Sequence, residues 1–164
     1  MDDIFKSILA EAAGISVDHP LAAVLSGRSE VMRLTQNSHD AVLKPEPPGG
    51  LSHSERATLA CRMARLNNEE ILARYYDEMI PENGEMRVIA DPAFDSPDDG
   101  RLKAILRHTD LVTMNPKHAT DSDILALKSA GVLEADIVRL SELIAFVSYQ
   151  VRVVKGLRLM MEAV

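Results

Sequence analysis

Ile137-Val138-Arg139-Leu140-Ser141-Glu142-Leu143-Ile144-Ala145-Phe146-Val147 is the heart of the segment that decides the fold of this 164-residue chain. It lacks Gly and Pro, and its apolar residues continue through Val151, Val154 and Leu157, so one helix is predicted over about Glu134 to Met161. The apolar positions spread over more than half of the helical circumference, and a helix apolar on so many sides has to be buried on them. That burial is easier when a second subunit supplies part of the cover, a physical reason to expect a homo-oligomer. Arg139, Glu142, Arg152, Lys155 and Arg158 interrupt the apolar run and argue against a membrane span.

Upstream of this helix, Thr120 with Asp123 three residues on starts a predicted helix over Asp121 to Ala130, which Gly131 stops; another is predicted over Arg101 to Leu111. Pro81 to Asp99 is rich in Pro, Asn, Gly and Asp and is expected to be a loop, with Met86 to Ala90 an extended piece or short turn. Ser52-His53-Ser54-Glu55 is a capping box, which predicts a helix over His53 to Leu66. Ile71, Leu72, Tyr75, Tyr76, Met79 and Ile80 continue its register, giving either one long helix or a bent pair around Asn67-Asn68.

Lys44-Pro45-Glu46-Pro47-Pro48-Gly49-Gly50 cannot continue a helix and divides an N-terminal arm, 1–44, from a core, 51–164, within a single domain, 1–164. The arm holds predicted helices over Asp2 to Ala13, Pro20 to Ser26 and Ser29 to Thr35, with Gly14 and Gly27 at stop positions. The whole is an expected all-α bundle of about six to eight helices.

Composition agrees with that class. Hydrophobic residues make up 46% and charged residues 26%, while the 4% aromatic share leaves Leu, Ile, Val, Ala and Met to fill the interior, which suits helix-on-helix packing. A net charge of -7 with no basic run would repel a phosphate backbone, which argues against a nucleic-acid partner. The single Cys61 permits no intramolecular disulfide, and Met1-Asp2-Asp3-Ile4 shows no secretory pattern, so a cytoplasmic location is expected. Nucleophile-elbow, phosphate-loop, dinucleotide and zinc-helix motifs are missing, and His19, His39, His53, His108 and His118 lack ligand spacing; neither a metal nor a cofactor is expected.

Two stretches carry a family resemblance. Leu51-Ser52-His53-Ser54-Glu55-Arg56 leading to Ala64-Arg65-Leu66-Asn67-Asn68 is one. The other runs from Asp123-Ile124-Leu125-Ala126-Leu127-Lys128-Ser129-Ala130-Gly131 through Ala135-Asp136-Ile137-Val138 and Ile144-Ala145-Phe146-Val147-Ser148-Tyr149-Gln150-Val151-Arg152 to Gly156-Leu157. Together they resemble the carboxymuconolactone decarboxylase and alkylhydroperoxidase D superfamily, most closely its peroxidase-related branch. The resemblance implies an all-helical bundle assembling into homo-trimers or hexamers. In active members it implies a Cys-x-x-Cys followed by a His, served by an upstream Glu. Aligning Leu66-Asn67 with the family's equivalent pair puts the thiol positions on Glu69 and Leu72, the His on Tyr76 and the relay Glu on Ala57. All four depart. A dithiol peroxidase needs one thiolate to attack peroxide and a second thiol to resolve the sulfenic acid, so that activity is not expected.

The remaining candidates have paired readings. Cys61 is a buried structural thiol or lines the pocket beside Ala57; its helix carries the main apolar stripe at Leu59, Met63 and Leu66, which leaves Cys61 on a flank exposed in a monomer. Glu69 and Tyr76, two turns apart, place a carboxylate and a phenol in one pocket, or are a solvated Glu and a packed ring. Glu142, Tyr149 and Arg152 serve a subunit-interface salt bridge, or Arg152 holds a carboxylate or enolate. His108 and Asp110 are expected to lie at the surface in solvent, since their offset turns them apart. The expectation is a superfamily member without the redox dithiol that carries out a cofactor-free decarboxylation or proton transfer on a small organic acid, or binds one. The competing expectation is a catalytically inactive structural or interaction homologue.

Overall fold

The hydroxyl of Ser52 accepts the Glu55 N–H at 3.2 Å and the Glu55 carboxylate accepts the Ser52 N–H at 2.8 Å. These bonds satisfy donors that a helix start leaves free. They launch the helix over His53–Leu66, in which every residue from Arg56 to Ala64 is buried. The computed structural model describes residues 4–82, 86–94 and 98–163. Asp2 and Asp3 of the first predicted helix, and positions 83–85 and 95–97 of the predicted loop, lie outside the described residues.

In chain order the α-helices are α1 (Ile8–Ala13), α2 (Ala22–Ser26), α3 (Ser29–Leu43), α4 (His53–Leu66), α5 (Glu70–Glu78), α6 (Met86–Ile89), α7 (Gly100–Met114), α8 (Asp121–Ser129) and α9 (Glu134–Glu162). Short 3-10 turns span Ile4–Lys6 and Pro116–His118, and the described residues include no strand. The nine helices among the described residues exceed the six to eight expected because the short α6 is helical and the bent pair is realised. Asn68 makes the bend at φ 54°, a left-handed conformation that Asn tolerates better than most residues. The hub α4 then packs against α5, α6, α7 and α9.

One expectation is corrected here and one alternative is decided. The helix expected to end at Thr35 runs to Leu43 and buries Met32, Thr35, His39 and Leu43 at helical spacing; two of those four are polar, which hid the periodicity. It ends where Pro45 biases Lys44 away from the helical region. Of the two forms expected for Met86 to Ala90, the short turn is the one found, as a helical turn over Met86–Ile89. Its exit is held from outside, by the buried Arg62 of α4, which donates to the carbonyls of Ile89 at 3.0 Å, Phe94 at 2.9 Å and Pro92 at 3.3 Å. Asp110 of α7 fixes the same guanidinium at 2.7 and 2.8 Å.

The Pro-Gly segment behaves as a packed joint. Arg56 donates to the carbonyls of Val42, Pro48 and Leu51, each at 2.9 Å, and the Gly50 N–H donates to Asp136 at the start of α9, also at 2.9 Å. A Cβ at Gly50 would come within 2.2 Å of the Asp136 carboxylate. The arm in turn packs onto α9 through α1, where Ile8, Leu9, Ala10, Ala12 and Ala13 are buried in the same hydrophobic cluster as the core. Burial of Ile8 and Leu9 alone contributes roughly 3–6 kcal/mol to that docking.

Most of the apolar surface of α9 is covered within the chain: Ile137, Leu140, Leu143, Ile144, Val147, Val151 and Val154 are buried. Coverage by a second subunit is therefore not needed for these residues; of the apolar positions that motivated it, Val138 stays exposed, at 58%. Among the described residues no helix is long and apolar enough to cross a membrane.

Candidate functional site

Two polar rungs join the start and middle of α5 to α9. Glu69, which precedes α5, is fully buried, and both its carboxylate oxygens accept from Arg158, at 2.7 and 2.8 Å. One heptad on, the buried Tyr76 phenol donates to the Gln150 side-chain oxygen. The Tyr76 ring lies beside the buried His39 ring, with centroids 6.3 Å apart and planes at 15°, and Tyr75 meets it edge-on at 5.4 Å. Burial pushes the Tyr76 phenol well above its ordinary value and pushes the His39 imidazole below 6.5, an effect that the neighbouring Asp40 carboxylate opposes.

Glu69 and Tyr76 thus share a side of the bundle, but the solvated Glu of the alternative reading is corrected to a buried carboxylate paired with the partly exposed Arg158. Arg152 does not join them. It lies on the exposed outer face of α9 and turns one N–H back onto the Ser148 carbonyl at 2.9 Å. Tyr149, also on that face, meets the Thr35 hydroxyl at 3.1 Å.

Cys61 is buried in the single chain, so the exposed flank expected for it is also corrected: the bend at Asn68 folds α5 over that side. Its thiol donates to the Ala73 carbonyl at 3.3 Å, and burial pushes it up to about 11. At that value the thiolate that would act as nucleophile is scarcely populated at neutral pH. His108, expected at the surface, is buried on α7, where burial lowers its pKa, while Asp110 turns away to Arg62.

Several buried side-chain atoms have no hydrogen bond to the described residues: Nε2 of Gln150 and of His39, Nδ1 of His108, Nε of Arg87, and the hydroxyls of Thr58, Thr109 and Thr113. A surface cavity of about 580 Å³ opens between the N-terminal turn and α3, lined by Lys6, Glu30, Arg33 and Gln36 among others, and none of Cys61, Glu69, Tyr76 or Arg152 reaches it. Its Glu30 and Arg33 already pair with each other at 2.6 Å. Among the described residues no three His, Cys, Asp or Glu side chains gather as a metal would require.

Gln150 and Arg158 are the partners that reading the sequence missed. Their signal was present: Leu143, Val147, Gln150, Val154 and Arg158 follow one another at four- and three-residue steps, so the two polar residues continue a buried stripe. Comparison with protein-family models, with curated proteins and with solved structures returned no match.

Proposed function

We propose that this chain is a catalytically silent, self-associating helical protein of the cytoplasm, similar to the carboxymuconolactone decarboxylase and alkylhydroperoxidase D superfamily, in which interior packing stands where active relatives carry a redox site. The observation that carries this reading is the closure of the aligned positions. Ala57, Glu69, Leu72 and Tyr76 are all fully buried, and the polar groups of Glu69 and Tyr76 are bound by Arg158 and Gln150. A group sealed in this way meets no substrate, because a general acid or base must come within hydrogen-bond reach of the proton it moves.

The test combines turnover with binding. Peroxide consumption with a dithiol reductant, and decarboxylation across a panel of small organic acids, are expected to stay at the uncatalysed background. Melting temperature is expected to be unchanged by any acid of the panel, and Cys61 to label with maleimide only after unfolding. Turnover above background that disappears in Tyr76→Phe, or a saturable rise in melting temperature, overturns the proposal.

One observation favours a second reading, a buried site for a small organic acid. Gln150 Nε2 is a donor left over beside the Tyr76 phenol, and His39 Nε2 is a second one in the tautomer that carries its proton there. That reading predicts loss of acid binding in Gln150→Leu.

A further inference from the structure

The outer face of α9 contains a row with the spacing of a coiled-coil seam: Ala135, Val138, Glu142, Ala145, Tyr149, Arg152, Gly156 and Leu159, all exposed, follow one another at alternating three- and four-residue steps, with the exposed Ser141 and Lys155 flanking the row. Val138, Tyr149 and Leu159 on this face are 58%, 40% and 67% exposed. The two charges within this row are of opposite sign, Glu142 and Arg152, set symmetrically about the height of Val147; the flanking Lys155 donates to the Asn67 carbonyl.

We propose that this face binds the same face of a second copy of the chain, the two helices running antiparallel about a two-fold axis at the height of Val147. The inference rests on the self-association read above and gives it an address. In this register Glu142 lies opposite the partner subunit's Arg152, and by symmetry the pair forms twice. The other layers set large side chains against small ones: Tyr149 against Ala145, Val138 against Gly156 and Leu159 against Ala135, the size alternation that interdigitating helices require.

Neighbouring arrangements are worse on the same residues. A parallel pair in register sets Glu142 against Glu142 and Arg152 against Arg152, like charges that repel. Sliding the antiparallel pair by one heptad in one direction sets Glu142 against Ala145 and Arg152 against Ala135, which strands both charges. Sliding it the other way sets Glu142 against Leu159 and leaves Ala145 against Gly156, a layer too small to fill.

Charge reversal tests the register. By sedimentation equilibrium the native chain is expected at twice its 18.0 kDa, a dimer in place of the trimer or hexamer that the resemblance implies. Glu142→Arg and Arg152→Glu should each weaken the dimer at least about tenfold, and the double reversal should restore it, since the pair is then re-formed with its signs exchanged. The double variant Val138→Cys/Gly156→Cys should become a disulfide-linked dimer under mild oxidation. Those two positions are about 27 Å apart on one helix and can meet only across the antiparallel seam. An assembly whose mass ignores both single reversals overturns the α9 seam while leaving self-association standing. A native chain that stays at 18.0 kDa at 100 µM overturns both.

Discussion

Tyr149 and Gln150 are consecutive in α9 and live in different solvents. Gln150 is fully buried and accepts the Tyr76 phenol; Tyr149 is 40% exposed and touches one hydroxyl of α3. The inner side of α9 spends its polar residues on closing the bundle, with Arg158 and Gln150 each committed to a buried partner on or just before α5. The outer side keeps Glu142, Tyr149 and Arg152 in water. The difference teaches that polar residues within one helix divide by face, so a candidate such as Arg152 and the residue that meets Glu69, Arg158, are separated by direction rather than by distance along the chain.

The largest way to break this contrast is Arg158→Ala. It strands the Glu69 carboxylate, at 0% exposure, without its ion-pair partner, and should cost about 3 kcal/mol in a denaturant titration. Replacing both partners, Glu69→Leu with Arg158→Met, should recover most of that loss. Next comes Tyr76→Phe, which removes the bond to Gln150 and should cost about 1–2 kcal/mol. Adding Gln150→Leu should cost less than the sum of the two single changes, because the stranded amide goes with it.

Acid should act on the inner side as well. Burial holds the His39 and His108 imidazoles below the ordinary 6.5 in the folded chain. As pH falls through 6.5 the unfolded chain therefore takes up protons that the folded chain refuses, and stability drops until the lower folded values are reached. Melting temperature should decline from about pH 7.5 to about pH 5.5, and His39→Leu should flatten part of that slope. The smallest effect belongs to the outer face. Arg152→Ala should change the stability of the dilute chain by less than about 0.5 kcal/mol, and the proposed α9 seam predicts a larger loss only at higher protein concentration.

How much of this was legible in the sequence depended on whether the signal was local. The Ser52-Glu55 cap, Gly14 and Gly131 in left-handed turns, and the extents of α4 and α9 follow from neighbouring residues alone. The Thr120 start was legible in the same way, its N–H donating to Asp123 at 2.9 Å. The second half of α3 was not, because Thr35 and His39 occupy its buried stripe, and a polar residue there looks solvated until Tyr149, Tyr75 and Phe146 are known to surround it. The candidate site was half legible. Glu69 and Tyr76 do lie on one side of the bundle, but their partners come from Gln150 and Arg158, more than seventy residues away. No spacing rule reaches across that interval.

Arg56 and Arg62 grip main-chain oxygen, which every kind of residue offers alike. Apart from the left-handed Gly49 against Arg139, the close-packed Gly50 and the buried Leu43, Leu51, Ile89 and Ala90, the segments they hold, 42–51 and 89–94, are therefore specified by length and path rather than by lettering. Exchanging a side chain there leaves each carbonyl in place, whereas inserting one residue slides the next carbonyl by about 3.5 Å and unplugs the guanidinium. Under drift such loops would lose their wording first and their measure last, so kinship between chains built this way would survive in two arginines on a buried helix and in the count of residues between their anchor points.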